Sequence, residues 1–218
     1  ANSDISIGIA RILRLNFPEA AIIGVAPDGN LPSSYFFDKV YAIPFVTEFD
    51  SYKKILEAIL REHHVNILCP ISEKELMVYM KESYKPLRNT LINPIEVLEN
   101  FLDKYKTYLW LKNIGVEVPE TTLFSDKSSN LFKNCIIKPR ASAGSKNMHY
   151  VSNKYLFDAL QITYQNELDS FVVQRCIGSA DEEFTCALWR FNGNYREIIL
   201  KRKLLGGLTG EAETVINP

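Results

Sequence analysis

At Pro119 the chain changes its pattern, and that change limits the folds open to it more than any other feature. Before it, helix signals alternate with short apolar strands; beyond it, strand signals follow one another with one helix among them. Upstream, Ile9, Ile12 and Leu13 recur on one helical face, and Ala21-Ile22-Ile23-Gly24-Val25 has the make-up of a buried strand. Asp50 can cap a helix with Tyr52, Ile55, Leu56, Ile59 and Leu60 on one stripe, leading into a strand at Val65-Asn66-Ile67-Leu68-Cys69. Ser72-Glu73-Lys74-Glu75 has capping-box spacing ahead of Leu76, Met77, Tyr79 and Met80, and Thr90-Leu91-Ile92 reads as a short strand. Residues 1–92 are therefore expected to form a small parallel-sheet, Rossmann-like domain. A helix ahead of the first strand is an odd start for such a unit, which points to an opening strand that the sequence lacks.

Asn93-Pro94-Ile95-Glu96 offers a cap, a proline in the first turn and a glutamate to complete the box, so a helix starts here. Val97, Leu98, Phe101, Leu102, Tyr105, Leu109 and Trp110 recur until Gly115 supplies a C-cap, which predicts one helix with Asp103-Lys104 on its course. After Pro119, strands are expected at 121–124, 134–138, 148–151 and 171–177, with a helix near 155–164. Residues 184–191 and 195–200 flank Asn192-Gly193-Asn194, a hairpin signal. Residues 93–218 thus read as α+β with antiparallel pairing, giving a chain that is α/β first and α+β after.

Within that second part, Cys135-Ile136-Ile137-Lys138-Pro139-Arg140 runs into Ala141-Ser142-Ala143-Gly144-Ser145-Lys146-Asn147. A β-branched run delivers a lysine at its end, and the small side chains after it let backbone N–H groups approach anionic oxygens closely. This is how a triphosphate is held; a structural lysine followed by a surface turn would give the same local string. Lys plus Arg total 25 against 26 for Asp plus Glu, so no global field attracts nucleic acid or an anionic membrane, and any anion site is local. Cys69, Cys135, Cys176 and Cys186 lie in or beside apolar runs without metal-ligand spacing and read as reduced packing residues. His63, His64 and His149 form no ligand pattern either. With no apolar stretch of membrane-spanning length and no leader segment, a cytoplasmic protein is the expectation. Neither a P-loop G-x-x-x-x-G-K-[ST] nor a dinucleotide G-x-G-x-x-G occurs.

Four elements stand in a fixed order: helical Asp103-Lys104, the Lys138 strand with its small-residue loop, Val172-Val173-Gln174-Arg175-Cys176-Ile177-Gly178, and the acidic Asp181-Glu182-Glu183 before Phe184-Thr185. This order resembles the ATP-grasp superfamily, in particular the branch similar to carbamoyl-phosphate synthase large subunits and other carboxylate ligases. The resemblance covers nearly the whole chain. It implies a domain at 1–92 that precedes the ATP-grasp fold and a partial, two-lobed ATP-grasp domain at 93–218, with a lid lobe near 119–175. It also implies ATP and Mg2+ as cofactors, a small carboxylate substrate with an amine acceptor, and an acyl phosphate between them; a homodimer is compatible with it.

By position, the resemblance makes Lys104 and Lys138 the two cations at the nucleotide phosphates, and Arg140, Ser142, Gly144 and Ser145 parts of the loop over the β- and γ-phosphates. Gln174, Arg175 and Cys176 fall on the segment between the lobes that meets adenine. Glu183, with Glu182 as the alternative, falls where a carboxylate accepts from the ribose hydroxyls. Lys201 and Lys203, which strand alternation puts on one face, are implied to look toward the phosphates or acyl substrate, with a protective basic edge strand as the other account. Gly206-Gly207-Leu208-Thr209-Gly210 resembles a turn before the family's next helix. The family's magnesium ligands lie on strands after the point where this sequence stops, so the chain is expected to be a fragment, poor at turnover by itself.

Overall fold

The computed structural model describes residues 3–29, 35–126, 134–142, 146–179, 182–205 and 208–215, without the side chains of 203–205 and 208–210. Two compact units divide the chain, Ala1–Glu99 and Asn100–Pro218. Each is built around a hydrophobic cluster of its own.

In the first unit, α1 (Asp4–Asn16) begins with a reciprocal cap: the Ser3 hydroxyl accepts from Ser6 N and the Ser6 hydroxyl accepts from Ser3 N. Its buried positions are Ser6 and Ala10, while Ile12 and Leu13 are exposed, so the expected apolar stripe is not the covered face. Small side chains one turn apart let the helix backbone come close to its neighbours. Strands β1 (Ile23–Ala26) and β2 (Lys39–Ala42) pair in parallel, with Ile23 opposite Lys39. Helix α2 (Phe49–Glu62) starts ahead of Asp50, which lies in the first turn rather than at the cap; there its carboxylate meets the positive end of the helix dipole. Tyr52, Leu56 and Leu60 pack with Ile43, Val46, Tyr79 and Tyr84. The strands expected at 65–69 and 90–92 reduce to one parallel bridge between Leu68 and Thr90. Helix α3 (Glu73–Lys81) has the expected box, its Glu75 carboxylate accepting from Ser72 N at 3.2 Å.

The single helix expected from 95 to 113 is two. Helix α4 (Ile95–Phe101) stops, Asp103 takes an extended conformation, and α5 (Lys104–Asn113) starts afresh with the Asp103 carboxylate accepting from the N–H groups of Tyr105 and Lys106. The apolar recurrence survives the break because Phe101 and Trp110 pack edge to face across it, with ring centroids 5.3 Å apart. Gly115, at φ +79°, ends α5 as the sequence indicates.

The site is carried by a four-stranded antiparallel sheet in the order β3 (Thr121–Leu123), β6 (Phe171–Arg175), β4 (Cys135–Pro139), β5 (His149–Val151). Alternation divides its faces. Cys135, Ile137, Val151, Phe171 and Val173 turn toward Phe157 and Leu160 of α6 (Lys154–Thr163) and form the core. Ile136, Lys138, Val172, Gln174 and Thr121 occupy the opposite face by the same register. Lys138 is thus presented by a strand whose other side is anchored in the core.

A second antiparallel sheet is formed by β7 (Phe184–Phe191), β8 (Asn194–Leu205) and β9 (Leu208–Val215). Phe191 pairs with Asn194 around Asn192 and Gly193, both at positive φ, which is the hairpin read from the sequence. Residues 208–215 form a strand, not the approach to a helix: Thr214 and Glu213 pair with Leu200 and Lys201. Gly206 and Gly207 lie outside the described residues. The four cysteines are free, but only Cys135 is buried; Cys69 and Cys186 are exposed, so the packing role expected of them fails at those two positions. Among the described residues no helix is long and apolar enough to cross a membrane.

Candidate anion-binding site

Lys138 is half-buried on β4, and its Nζ donates to Gln174 Oε1 at 2.8 Å. The contact follows from register: Ile136 faces Gln174 and Lys138 faces Val172, so Lys138 and Gln174 are diagonal neighbours on one face. On its far side the Gln174 amide nitrogen donates to Thr121 Oγ1 at 2.9 Å, and that hydroxyl donates to the Pro119 carbonyl at 2.9 Å. Burial, and then the nearby charge of Lys104, pull the Lys138 pKa below that of a free lysine. Among the described residues its acceptor is a neutral amide, with no carboxylate beside it. An anion is what such a group lacks.

Lys104, the first residue of α5, brings the second cation. Its Nζ donates to the Ser142 carbonyl at 2.9 Å, the Ser142 hydroxyl at 3.2 Å and the Arg140 carbonyl at 3.4 Å, and its backbone N–H donates to the same Arg140 carbonyl at 3.0 Å. The start of α5 is thereby fastened to the start of the small-residue loop. Arg140 completes the fastening: its Nε and Nη2 reach both oxygens of Asp103, with the shortest contact 2.6 Å, and Nη1 donates to the Asp169 carbonyl at 3.0 Å. Burial pushes the Asp103 carboxyl up, but the bonds from Arg140 and from the Lys106 and Tyr105 N–H groups outweigh it and hold the carboxyl below the usual range. The guanidinium is raised in turn, chiefly by its bond to Asp103. One residue therefore caps the helix, neutralises Arg140 and sets the direction of Lys104.

Lys104, Arg140 and Ser142 are thus linked in one hydrogen-bond network and Lys138 and Gln174 in another, with the charge of Lys104 felt at Lys138, while Gly144 and Ser145 lie outside the described residues. Arg175 and Cys176 continue the sheet, their N–H groups donating to the Glu120 and Asn134 carbonyls. Glu183 is ion-paired with Arg202, whose backbone N–H also donates to the Glu183 carbonyl at 2.8 Å. Lys201 stands between Phe184 and Glu213 in the second sheet. Lys203 pairs by its backbone with Glu211 at a bulge, and its side chain lies outside the description. A cavity of about 560 Å³ adjoins the site, lined by residues that include Arg140, Ser142, Lys146, Asn147 and Asp169, but neither lysine of the pair lines it. Among the described residues no three His, Cys, Asp or Glu side chains are grouped to hold a metal.

Sequence reasoning missed Asp103, Thr121 and Arg202 as members of these networks. For Asp103 a signal existed, a strong N-cap residue directly before a candidate lysine. Thr121 and Arg202 declare themselves only through strand register.

Residues 101–184 match the family model of the ATP-grasp domain. An uncharacterized protein of Mycoplasma genitalium is 30% identical over 123 residues, which are 53% of this chain and 42% of that protein. The fold is similar to that of N5-carboxyaminoimidazole ribonucleotide synthetase from Thermus thermophilus, with a TM-score of 0.67 and 13% identity over 94% of this chain and 54% of the other. It is also similar to L-amino acid ligase from Bacillus licheniformis, with a TM-score of 0.59 and 17% identity over 87% of this chain and 46% of the other. The chain spans about half the length of the proteins it matches. These likenesses reach the superfamily, and the carbamoyl-phosphate synthase branch is not singled out.

Proposed function

We propose, from the premise that this chain carries an ATP-grasp domain at residues 101–184, that the domain binds ATP for an ATP-dependent ligase. The observation that carries the reading is the half-buried Lys138 ammonium, whose described acceptor is uncharged and whose neighbour is a second ammonium, Lys104. Two cations brought together at the edge of a low-dielectric sheet are at odds until an anion of several charges separates them, and a triphosphate is such an anion. Lys104 and Lys138 take the phosphate oxygens. Ser142, already held by Lys104, completes the grip.

Magnesium, when bound, neutralises charge between the phosphates. Among the described residues there is no cluster of three His, Cys, Asp or Glu ligands, and the part proposed for Lys104, Lys138 and Ser142 is to bind and orient the phosphates. In the reaction proposed for the protein in its full length, a carboxylate oxygen of the substrate bonds to the γ-phosphorus and ADP leaves with the breaking P–O bond. An amine then attacks the acyl carbon, phosphate departs, and the amine proton passes to solvent or to a base. Positioning and electrostatics supply the catalysis, and no protein nucleophile takes part. The carboxylate-ligase reading draws on the ligase and synthetase of similar fold. It is tested by ADP release from ATP across a panel of small carboxylates and amines. Release that requires both supports it, and ATP binding without release favours a nucleotide-binding module instead.

A further inference from the structure

We infer that Thr121 and Gln174 are positioning residues: a one-way hydrogen-bond relay from Gln174 through Thr121 to the Pro119 carbonyl fixes which end of the Gln174 amide faces Lys138, and so aims the Lys138 ammonium at the anion. The inference rests on the nucleotide reading of the site and adds what keeps the site's central cation in place.

The direction of the relay follows from valence. A carbonyl oxygen can only accept, so the Thr121 hydroxyl, 2.9 Å from Pro119 O, gives its proton there. The hydroxyl oxygen is then an acceptor for Gln174, and only the NH2 end of an amide can satisfy it. The carbonyl end is left to Lys138, at 2.8 Å. Reversing the amide would set two acceptors against each other at Thr121, whose proton is already given to Pro119 O, and an NH2 group against an ammonium at Lys138. Thr121 is 2% exposed and directly opposite Gln174 in the β3–β6 register, so neither partner can swing away to relieve that conflict.

The amide is suited to the task by its lack of charge. A glutamate at 174 would accept from Lys138 equally well, but it would cancel the charge that the phosphates are to meet. Glutamine orients the ammonium and leaves its charge for the ligand. Thr121 has no path to the ligand of its own; it acts through Gln174.

The test is the affinity of the whole chain for ATP and for inorganic tripolyphosphate, by titration calorimetry on wild type, Thr121→Val, Thr121→Ser, Gln174→Glu and Lys138→Ala, each first shown by circular dichroism to be folded. Losing the hydroxyl in Thr121→Val frees the amide to reverse and weakens both anions about tenfold, the scale of one directed hydrogen bond to a charged group. Thr121→Ser keeps the relay and stays within about twofold of wild type. Gln174→Glu also weakens both anions, yet it moves the Lys138 titration, read from the ε-carbon resonance, to higher pH, whereas Thr121→Val moves it to lower pH. A merely structural defect has no reason to give opposite titration shifts with a common loss of affinity. Wild-type binding lost in Lys138→Ala but kept in both Thr121→Val and Gln174→Glu overturns the relay alone. Absence of ATP binding by the wild type overturns the nucleotide reading and the relay with it. Should Thr121→Val fail to fold, Thr121→Ala, which also removes the hydroxyl, decides in its place by the same two readouts.

Discussion

Lys138 sits where its own charge is disfavoured, first by burial and then by Lys104, and that is the sign of a group waiting for a counter-charge. The consequence for pH can be worked through. In the free protein its pKa lies below that of a solvent lysine; phosphates beside it favour the charged form and raise it. Between those two values the complex holds more protons than the free protein, so ATP binding takes up protons and its affinity falls as pH rises. Calorimetry at about pH 9, in two buffers of different ionisation enthalpy, is expected to show this uptake, and more of it than at pH 7. Binding with no proton exchange at the higher pH would contradict the placement of Lys138. The strand that delivers this lysine was readable from a β-branched run followed by small residues. Its acceptor was not, because Gln174 lies 36 positions away and reaches Lys138 only through the β4–β6 register.

Among the elements, α5 shows how a helix start can be functional. Apolar recurrence predicted one helix through 95–113, since Phe101 and Trp110 pack across the break and keep the period intact. Only the cap chemistry of Asp103 marks the new start, and the same carboxylate holds Arg140. Asp103→Ala is therefore expected to lower stability by about 2 kcal/mol, combining a lost cap with a half-buried guanidinium left unpaired, as measured by urea denaturation. Because the Asp103 carboxyl is held below its unfolded value, its contribution is full above about pH 4 and is lost as pH falls through the folded value. The difference between wild type and Asp103→Ala should shrink in that acid range and persist at neutral pH. On β3, one step along from the relay, Thr122 Oγ1 is buried and among the described residues has no hydrogen-bond partner. Thr122→Val removes that orphan at nearly constant shape and is expected to stabilise by about 1 kcal/mol, seen as a raised Tm. A lowered Tm would show that the hydroxyl is satisfied after all.

For the molecule as a whole, the two cores give separate handles on two compact units. Leu56→Ala opens a cavity in the first and Ile137→Ala in the second, each costing about 3 kcal/mol. Hydrogen exchange is expected to report each loss within the unit that carries it; a uniform loss across both would mean that they unfold as one. The parallel-then-antiparallel order was readable from the change of pattern at Pro119, because period and turn chemistry are local. Strands 65–69 and 90–92 were overread: β-branched residues recur there, yet pairing stops at one bridge, and pairing is not a property of either segment alone. In the second sheet Phe184, Leu188, Trp189 and Phe191 stay exposed, so strand apolarity there signalled pairing without burial. The central claim is that Lys104 and Lys138 serve one anion, and it is tested most directly by adding ATP while following the ε-carbon resonances of both lysines, assigned by substitution. The account predicts that the two signals shift along one saturation curve and that Lys138→Ala weakens the response of Lys104. Two lysine signals that stay unmoved at saturating ATP, or that follow unrelated curves, would contradict it.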